Sequence, residues 1–324
     1  MTDVPRSGQL SSGSPSSRPL VLVHSNSGMP GGEPTDHADA FAALSNETRV
    51  AILEALWAAE GHRASFSELR RAVEMRDSGK FNYHLDKLTD DFVVRTDDGD
   101  YRLRLAGIHV VGSLISGTYA QDEAIETVPY DEPCPLCGAE TVFRYDGETF
   151  AIECTECSAL GLASGPAPPS VFADADPAEV SDRAERYLHS LMDDFRSGFC
   201  LFCESPVELT VVPNEAIAPD DAVDADLAPI PILQHDCPAC GESARTNLGP
   251  VLARHPAVVS FLHEHGTSVR ELPLFDLTVF SAADGAVSQR DPTRAWVRYT
   301  VDGDAIEVTV DGDAAVVDVT RPSA

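Results

Sequence analysis

Ser78-Gly-Lys-Phe-Asn-Tyr-His-Leu-Asp-Lys-Leu88 is the stretch on which the reading of this chain turns. Phe81, Leu85 and Leu88 recur at helical spacing and predict a buried face, with Ser78 as the N-cap. Lys80, Tyr83, His84 and Lys87 stand at i, i+3, i+4 and i+7 and predict one exposed stripe beside it. Lys80 and Lys87 are the only lysines among 324 residues, against 21 arginines. In a chain that otherwise excludes lysine, their placement on a single stripe marks it as functional.

Before this stretch, Ala40 to Leu44 closes a short helix, and Val50, Leu53 and Leu56 repeat at helical spacing in a second. Ser67 is read as the cap of a helix over Glu68 to Val73, whose Leu69 and Val73 form an i, i+4 apolar pair. After it, Phe92 to Thr96 and Tyr101 to Leu105 read as strands around Asp97-Asp98-Gly99-Asp100, a hairpin signal. Ile108 to Tyr119 reads as a closing apolar helix. This order over residues 36–120 predicts a winged helix-turn-helix, its third helix entering a major groove and its hairpin forming the wing. The candidate contacts to double-stranded DNA are Ser78, Lys80, Asn82, Tyr83, His84 and Lys87 on the helix and Arg95 and Arg102 at the wing.

The charge distribution agrees. The formal net charge is −30, yet residues 61–104 hold nine Arg or Lys and nine Asp or Glu. The entire excess of negative charge therefore lies outside the region expected to meet phosphate. Competing readings are a solvated helix face with incidental cations, and a winged helix that binds protein. An acidic, lysine-poor chain also suits a salt-rich cytoplasm and suggests a halophilic archaeal source. A hydrophobic content of 43% argues against a wholly disordered acidic protein. No apolar run reaches the length of a membrane span. Residues 1–35, rich in Ser, Gly and Pro, read as a disordered tail; Leu20 to Val23 is too short for a signal-peptide core, and Met29 is an alternative start that would leave residues 1–28 untranslated.

From Pro129 the character changes. Four Cys-x-x-Cys pairs occur at Cys134/Cys137, Cys154/Cys157, Cys200/Cys203 and Cys237/Cys240, using all eight cysteines. Each of Cys134-Pro-Leu-Cys137 and Cys200-Leu-Phe-Cys203 precedes β-prone residues and is followed by a second pair, a loose internal duplication. Pairing in chain order gives two four-cysteine sites, with 16 and 33 residues between their pairs. Four thiolates suit tetrahedral Zn2+ in a closed, structural site. A dithiol redox pair, an iron–sulfur cluster and interleaved pairing are the alternatives. Between the two sites Asp176 and Pro177 open a helix running to about Phe195; another is expected from Pro250 to His265. Trp296 to Val319 alternates as strands across Asp-Gly turns at 302–303 and 311–312. His255, His263 and His265 with Glu264 form a further, weaker ligand candidate, and no phosphate loop or nucleophile elbow is present.

Two segments carry a family resemblance. Phe41-Ala-Ala-Leu-Ser-Asn-Glu-Thr-Arg-Val-Ala-Ile-Leu53 resembles the opening helix of ArsR-like regulators, and the stretch from Ser78 to Leu88 resembles their recognition helix in its Tyr-His-Leu form. Tyr101-Arg-Leu-Arg-Leu-Ala-Gly107 is similar to their wing strand and the start of their final helix. The resemblance covers residues 37–119 and implies a DNA-binding regulator that dimerises through its terminal helices. The family's metal-sensing Cys-Val-Cys is absent, so arsenic sensing is not implied.

Together these readings predict an α+β protein: disordered tail 1–35, winged helix-turn-helix 36–120, first zinc ribbon 129–165, connecting helix 176–196, and second zinc ribbon with a small β-rich α+β part over 198–324. The expected function is a cytoplasmic, homodimeric, zinc-stabilised, sequence-specific regulator of transcription, with no enzymatic activity and no membrane partner. The alternative is a general transcription-factor-like module that docks on the transcription machinery.

Overall fold

The computed structural model describes residues 37–119, 124–134, 137–156, 161–213, 230–269, 272 and 285–322. The expected disordered tail, the alternative start at Met29 and Cys157 lie outside the described residues. The fold is mixed α+β, with helices at the N-terminal end and, among the described residues, four antiparallel sheets.

Helices α1 (His37–Leu44) and α2 (Glu47–Ala58) open the chain, and Asn46 caps α2 by accepting from the Arg49 N–H at 3.3 Å. A two-residue strand β1 (Arg63–Ala64) leads into α3 (Phe66–Ala72). Its cap is Ser65, not Ser67. Ser65 Oγ accepts from Glu68 N at 3.3 Å while Glu68 Oε2 accepts from Ser65 N at 2.8 Å. Only Ser65 has a glutamate three residues on to complete this reciprocal box, whereas Ser67 has Arg70 there.

Helix α4 (Ser78–Asp86) starts at Ser78, its expected cap, and is capped one residue earlier by Asp77. Asp77 accepts from Gly79 N at 2.9 Å and Lys80 N at 3.0 Å, and its carboxylate also favours the positive end of the helix dipole. Ser78 thus moves into the first turn. Strands β2 (Val93–Arg95) and β3 (Tyr101–Leu103) form the expected hairpin, and β1 adds to β3 in the order β1-β3-β2. Helix α5 (Leu105–Ile115) begins three residues earlier than expected. It crosses the end of β2 so closely that a Cβ on Gly107 would lie 2.4 Å from the Phe92 carbonyl oxygen. Ile52, Leu53, Leu56, Leu69, Phe81, Leu85, Leu88 and Val111 make one buried core for this N-terminal unit.

The rest of the described chain shares a second core. Strands β4 (Ile125–Tyr130), β5 (Thr141–Tyr145), β6 (Thr149–Cys154) and β7 (Gly161–Pro166) form a sheet in sequence order. A short 3-10 turn at Pro177–Glu179 leads into α6 (Val180–Ser197), whose Ala184, Leu188, Met192 and Phe195 are buried and which ends at Gly198 in the left-handed region (φ 76°). Strands β8 (Glu208–Pro213), β9 (Pro231–Asp236) and β10 (Ser243–Asn247) make the next sheet. The helix expected over Pro250 to His265 divides into α7 (Leu248–Leu252) and α8 (Pro256–Glu264). Pro256 has no N–H to donate and forces His255 out of helical geometry (ψ 136°), so the ladder breaks there. A four-stranded meander closes the described chain: β11 (Gly285–Arg290), β12 (Thr293–Val301), β13 (Asp304–Asp311) and β14 (Val316–Thr320). Fully buried Tyr299 donates to the Gly249 carbonyl at 2.6 Å, fastening the meander to α7. Among the described residues no helix is long and apolar enough to cross a membrane.

Candidate metal centres and nucleic-acid interface

Three of the four Cys-x-x-Cys turns are described through both cysteines and share one backbone design. In each, the first cysteine's N–H donates to the carbonyl five residues on, and the N–H four residues on donates back to that cysteine's carbonyl. The distances are 2.8 and 2.8 Å at Cys134, 2.8 and 3.0 Å at Cys200, and 2.9 and 2.9 Å at Cys237. The return requires a positive φ at the fourth residue beyond the cysteine: Gly138 at 73°, Glu204 at 59° and Gly241 at 80°. In each turn the first cysteine is buried and the second is more exposed.

The topology then brings the turns together. The first leads into hairpin β5–β6, and Cys154 ends β6 beside it. The turn at Cys200 leads into hairpin β8–β9, and Cys237 and Cys240 follow β9. The duplication thus has a structural form among the described residues, with a turn and a hairpin in each copy, closed by Cys154 in the first and by Cys237 and Cys240 in the second. Cys137 and Cys154 Sγ lie 3.6 Å apart, Cys200 and Cys240 3.7 Å, and Cys203 and Cys237 3.5 Å. Within each group all sulfurs fall inside 4.8 Å of one another.

A disulfide holds its sulfurs at about 2.05 Å, whereas a tetrahedral ion with bonds of about 2.3 Å separates them by about 3.8 Å. Both groups can therefore hold a metal ion, with the chain-order pairing for every described cysteine. The thiols of the second group are pulled apart electrostatically. Hydrogen bonds from the Ser205 side chain and backbone hold Cys203 down at about 6, while burial pushes Cys240 up to about 12 and raises Cys200. Four thiolates at this spacing need a cation at their centre to ionise together. The histidine cluster does not assemble a ligand set among the described residues. His255 instead caps α8, His265 faces Asp304 at 3.2 Å, and Glu264 takes both guanidinium nitrogens of Arg321 at 2.7 and 3.0 Å.

The cationic stripe of α4 is narrower than its sequence suggests. Ser78, Lys80, Asn82, Tyr83 and Lys87 are exposed, with Tyr83 at 57%. His84 is not: it is 7% exposed and belongs to the buried face with Phe81, Leu85 and Leu88. Four apolar-facing positions at i, i+3, i+4 and i+7 make one stripe, so the residue i+4 from Lys80 turns inward. Burial, with the charges of Arg49 and Lys80, lowers the His84 pKa, and its Nδ1 finds no hydrogen-bond partner. Lys87 Nζ stands 6.0 Å over the Tyr83 ring, and Asn82 donates to Asp86 at 2.7 Å.

At the hairpin, Arg95 and Arg102 are exposed, and the Arg95 guanidinium lies 5.9 Å over the Tyr101 ring. Sequence reasoning missed Arg63, which reaches from β1 to pair with Asp98 and, at 3.0 Å, with Asp100. It thereby neutralises two of the three carboxylates at the hairpin tip. Only the pairing of β1 with β3 brings it there, a contact without a local sequence signal.

No curated protein matches the chain. Among solved structures, an IclR-family protein from Rhodococcus sp., described as a transcriptional regulator, aligns at 11% identity and a TM-score of 0.20 over 68% of this chain and 85% of that one. So slight a likeness carries no argument. A domain of unknown function, DUF7347, matches residues 37–114. A second, DUF7351, matches residues 131–316, more than half of the chain, and the chain belongs to that family.

Proposed function

We propose that the protein is a homodimeric, sequence-specific DNA-binding regulator of transcription of the ArsR-like type, with Zn2+ in its two cysteine clusters. The observation that carries this reading is α4: capped by Asp77, it directs Ser78, Lys80, Asn82, Tyr83 and Lys87 to solvent while Phe81, Leu85 and Leu88 anchor it. The order of helices around it, followed by the β2–β3 hairpin, supports a winged helix-turn-helix with α4 in the major groove and Arg95 and Arg102 at the backbone. Exposed Phe41 on α1, Leu105 and Ile115 on α5 and Tyr119 just beyond it support a dimer built on the terminal helices. All-sulfur, tetrahedral spacing supports zinc in a structural role, with no open ligand position for catalysis.

One feature favours a second reading. Asp97, Asp98 and Asp100 crowd the tip of the hairpin, a poor surface for phosphate but a usable one for docking on a basic partner protein. Footprinting of the metal-loaded protein on its own upstream DNA, in high potassium chloride, separates the two. The regulator protects a short, near-palindromic site. Absence of any protected site together with co-purification of RNA polymerase would establish the docking module instead.

A further inference from the structure

The chain just beyond α5 touches the segment that follows β7. Gly117 sits in the left-handed region (φ 76°) so close to Pro169 that an added Cβ would be 3.1 Å from its ring, and Ser170 N donates to the Ser116 carbonyl at 3.0 Å. Beside this tight joint opens a cavity of about 470 Å³. That volume lies in the range of small-molecule sites.

Its walls come from separate parts of the fold. Thr118 contributes from the chain leaving α5, Pro169 from beyond β7, Tyr187 and Asp194 from α6, Glu148 from the β5–β6 turn, and Phe202 from the second cysteine turn. Asp194 and Glu148 are the only charged residues among those that line it, and neither has an ion-pair partner among the described residues. Burial, with the neighbouring Asp193 carboxylate, raises the Asp194 pKa. Two aromatic side chains accompany the two carboxylates. Aromatic faces with an adjacent carboxylate are the chemistry that recognises an organic cation.

We propose that this cavity is an effector site for a small organic cation with an apolar or aromatic body. The cation would sit against Tyr187 and Phe202, with its charge toward Asp194 and Glu148. Phe202 lies between Cys200 and Cys203, so the second metal centre fixes one wall. Ser116 and Thr118 lie just beyond α5, so another part of the wall belongs to the N-terminal unit. The effector role rests on the regulator reading; binding itself does not.

The test titrates full-length, metal-loaded protein calorimetrically with benzyltrimethylammonium, and with phenylacetate as the anionic ring of similar size. The cation should bind about tenfold or more tightly than the anion, as one cation–π contact and one unpaired carboxylate allow. Asp194→Asn, a conservative change at an exposed position, and Phe202→Ala should each weaken it several-fold while metal content stays unchanged. Equal affinity for both probes, or a cation affinity indifferent to both variants, overturns the site. On a protein that protects a DNA site, the bound cation should change DNA affinity about fivefold or more, within the usual range of allosteric coupling. An unchanged DNA affinity overturns the effector role. A protein that binds no DNA refutes the regulator reading and the effector role with it, and the calorimetry alone then decides the cavity.

Discussion

Replacing Lys80 and Lys87 by alanine should flatten the salt dependence of DNA binding by a calculable amount. Lys80, Lys87, Arg95 and Arg102 all face solvent on α4 and the hairpin. Each phosphate neutralised on duplex DNA contributes about −0.9 to the slope of log affinity against log salt. Four contacts per protomer give a dimer slope of about −7, and the double variant retains about half of it. Over a fourfold rise in potassium chloride the native protein should then lose about 10⁴-fold in affinity and the variant only about 10²-fold. Fluorescence anisotropy of a labelled upstream duplex, read across that range, measures both slopes. Alanine suits a helix and neither lysine is buried, so the variant should melt within about 0.5 kcal/mol of the parent. The two arginines beside the acidic hairpin tip contribute equally to both slopes, so the difference between the slopes depends only on the lysines. Parallel lines for parent and variant would show that the lysines touch no phosphate and would refute the assignment of α4 as the recognition helix.

Four further outcomes follow from particular contacts. Gly107→Ala places a methyl against the Phe92 carbonyl at 2.4 Å and should cost toward 3 kcal/mol or more, despite alanine's better helix propensity, in a thermal or urea melt. His84→Leu removes a buried nitrogen without a partner and should leave stability at pH 7 unchanged or raised by about 1 kcal/mol. Because the folded pKa of His84 lies below its ordinary 6.5, the unfolded chain takes up the proton first; the native protein should lose stability as pH falls below 6.5, and the variant should lose less over the same urea titrations. Plasma mass spectrometry should find two zinc ions per chain and one after Cys237→Ser, and chelation should lower the melting temperature, since metal binding and folding are linked; a chain that folds identically without metal would contradict structural centres. Glu204→Gly should raise the melting temperature, because the left-handed φ of 59° costs a side chain about 1 kcal/mol that glycine does not incur.

Much of the N-terminal unit is legible because its signals are local. Val50, Leu53 and Leu56 announce α2 by spacing alone, and the Asp-rich turn with Gly99 announces the hairpin. The errors there are also local, and each has a physical winner. Ser65 displaces Ser67 because a capping box needs its glutamate, and Asp77 displaces Ser78 because a charged cap bonds two N–H groups. His84 misleads because helical spacing locates a stripe but not its width: the residue next to Leu85 and three beyond Phe81 falls inside the buried arc whatever its polarity. The break between α7 and α8 could have been read from Pro256, since a proline seldom sits within a helix. Arg63 and the cavity at the end of α5 depend on contacts between elements far apart in the chain, for which no spacing rule exists.

The cysteines were legible for a different reason. A thiolate set is specified by chemistry rather than by burial, so four Cys-x-x-Cys pairs announce their sites even where the intervening segment runs to 33 residues. What the spacing does not reveal is that the two copies are not independent. α6 lies between their sheets, with Phe195 edge-on to His235 in β9 and Tyr187 edge-on to Phe150 in β6. Its buried residues belong to the same core as both hairpins. Each cysteine cluster therefore lies at the open end of a hairpin that packs into the core shared through α6. The same helix carries Tyr187 and Asp194 to the cavity at the joint, and the second cysteine turn brings Phe202 to its edge. A change in metal occupancy at the second centre and a ligand in the cavity would thus act on the same side chains, which lie next to the only described chain segment leading back to α5 and the N-terminal unit.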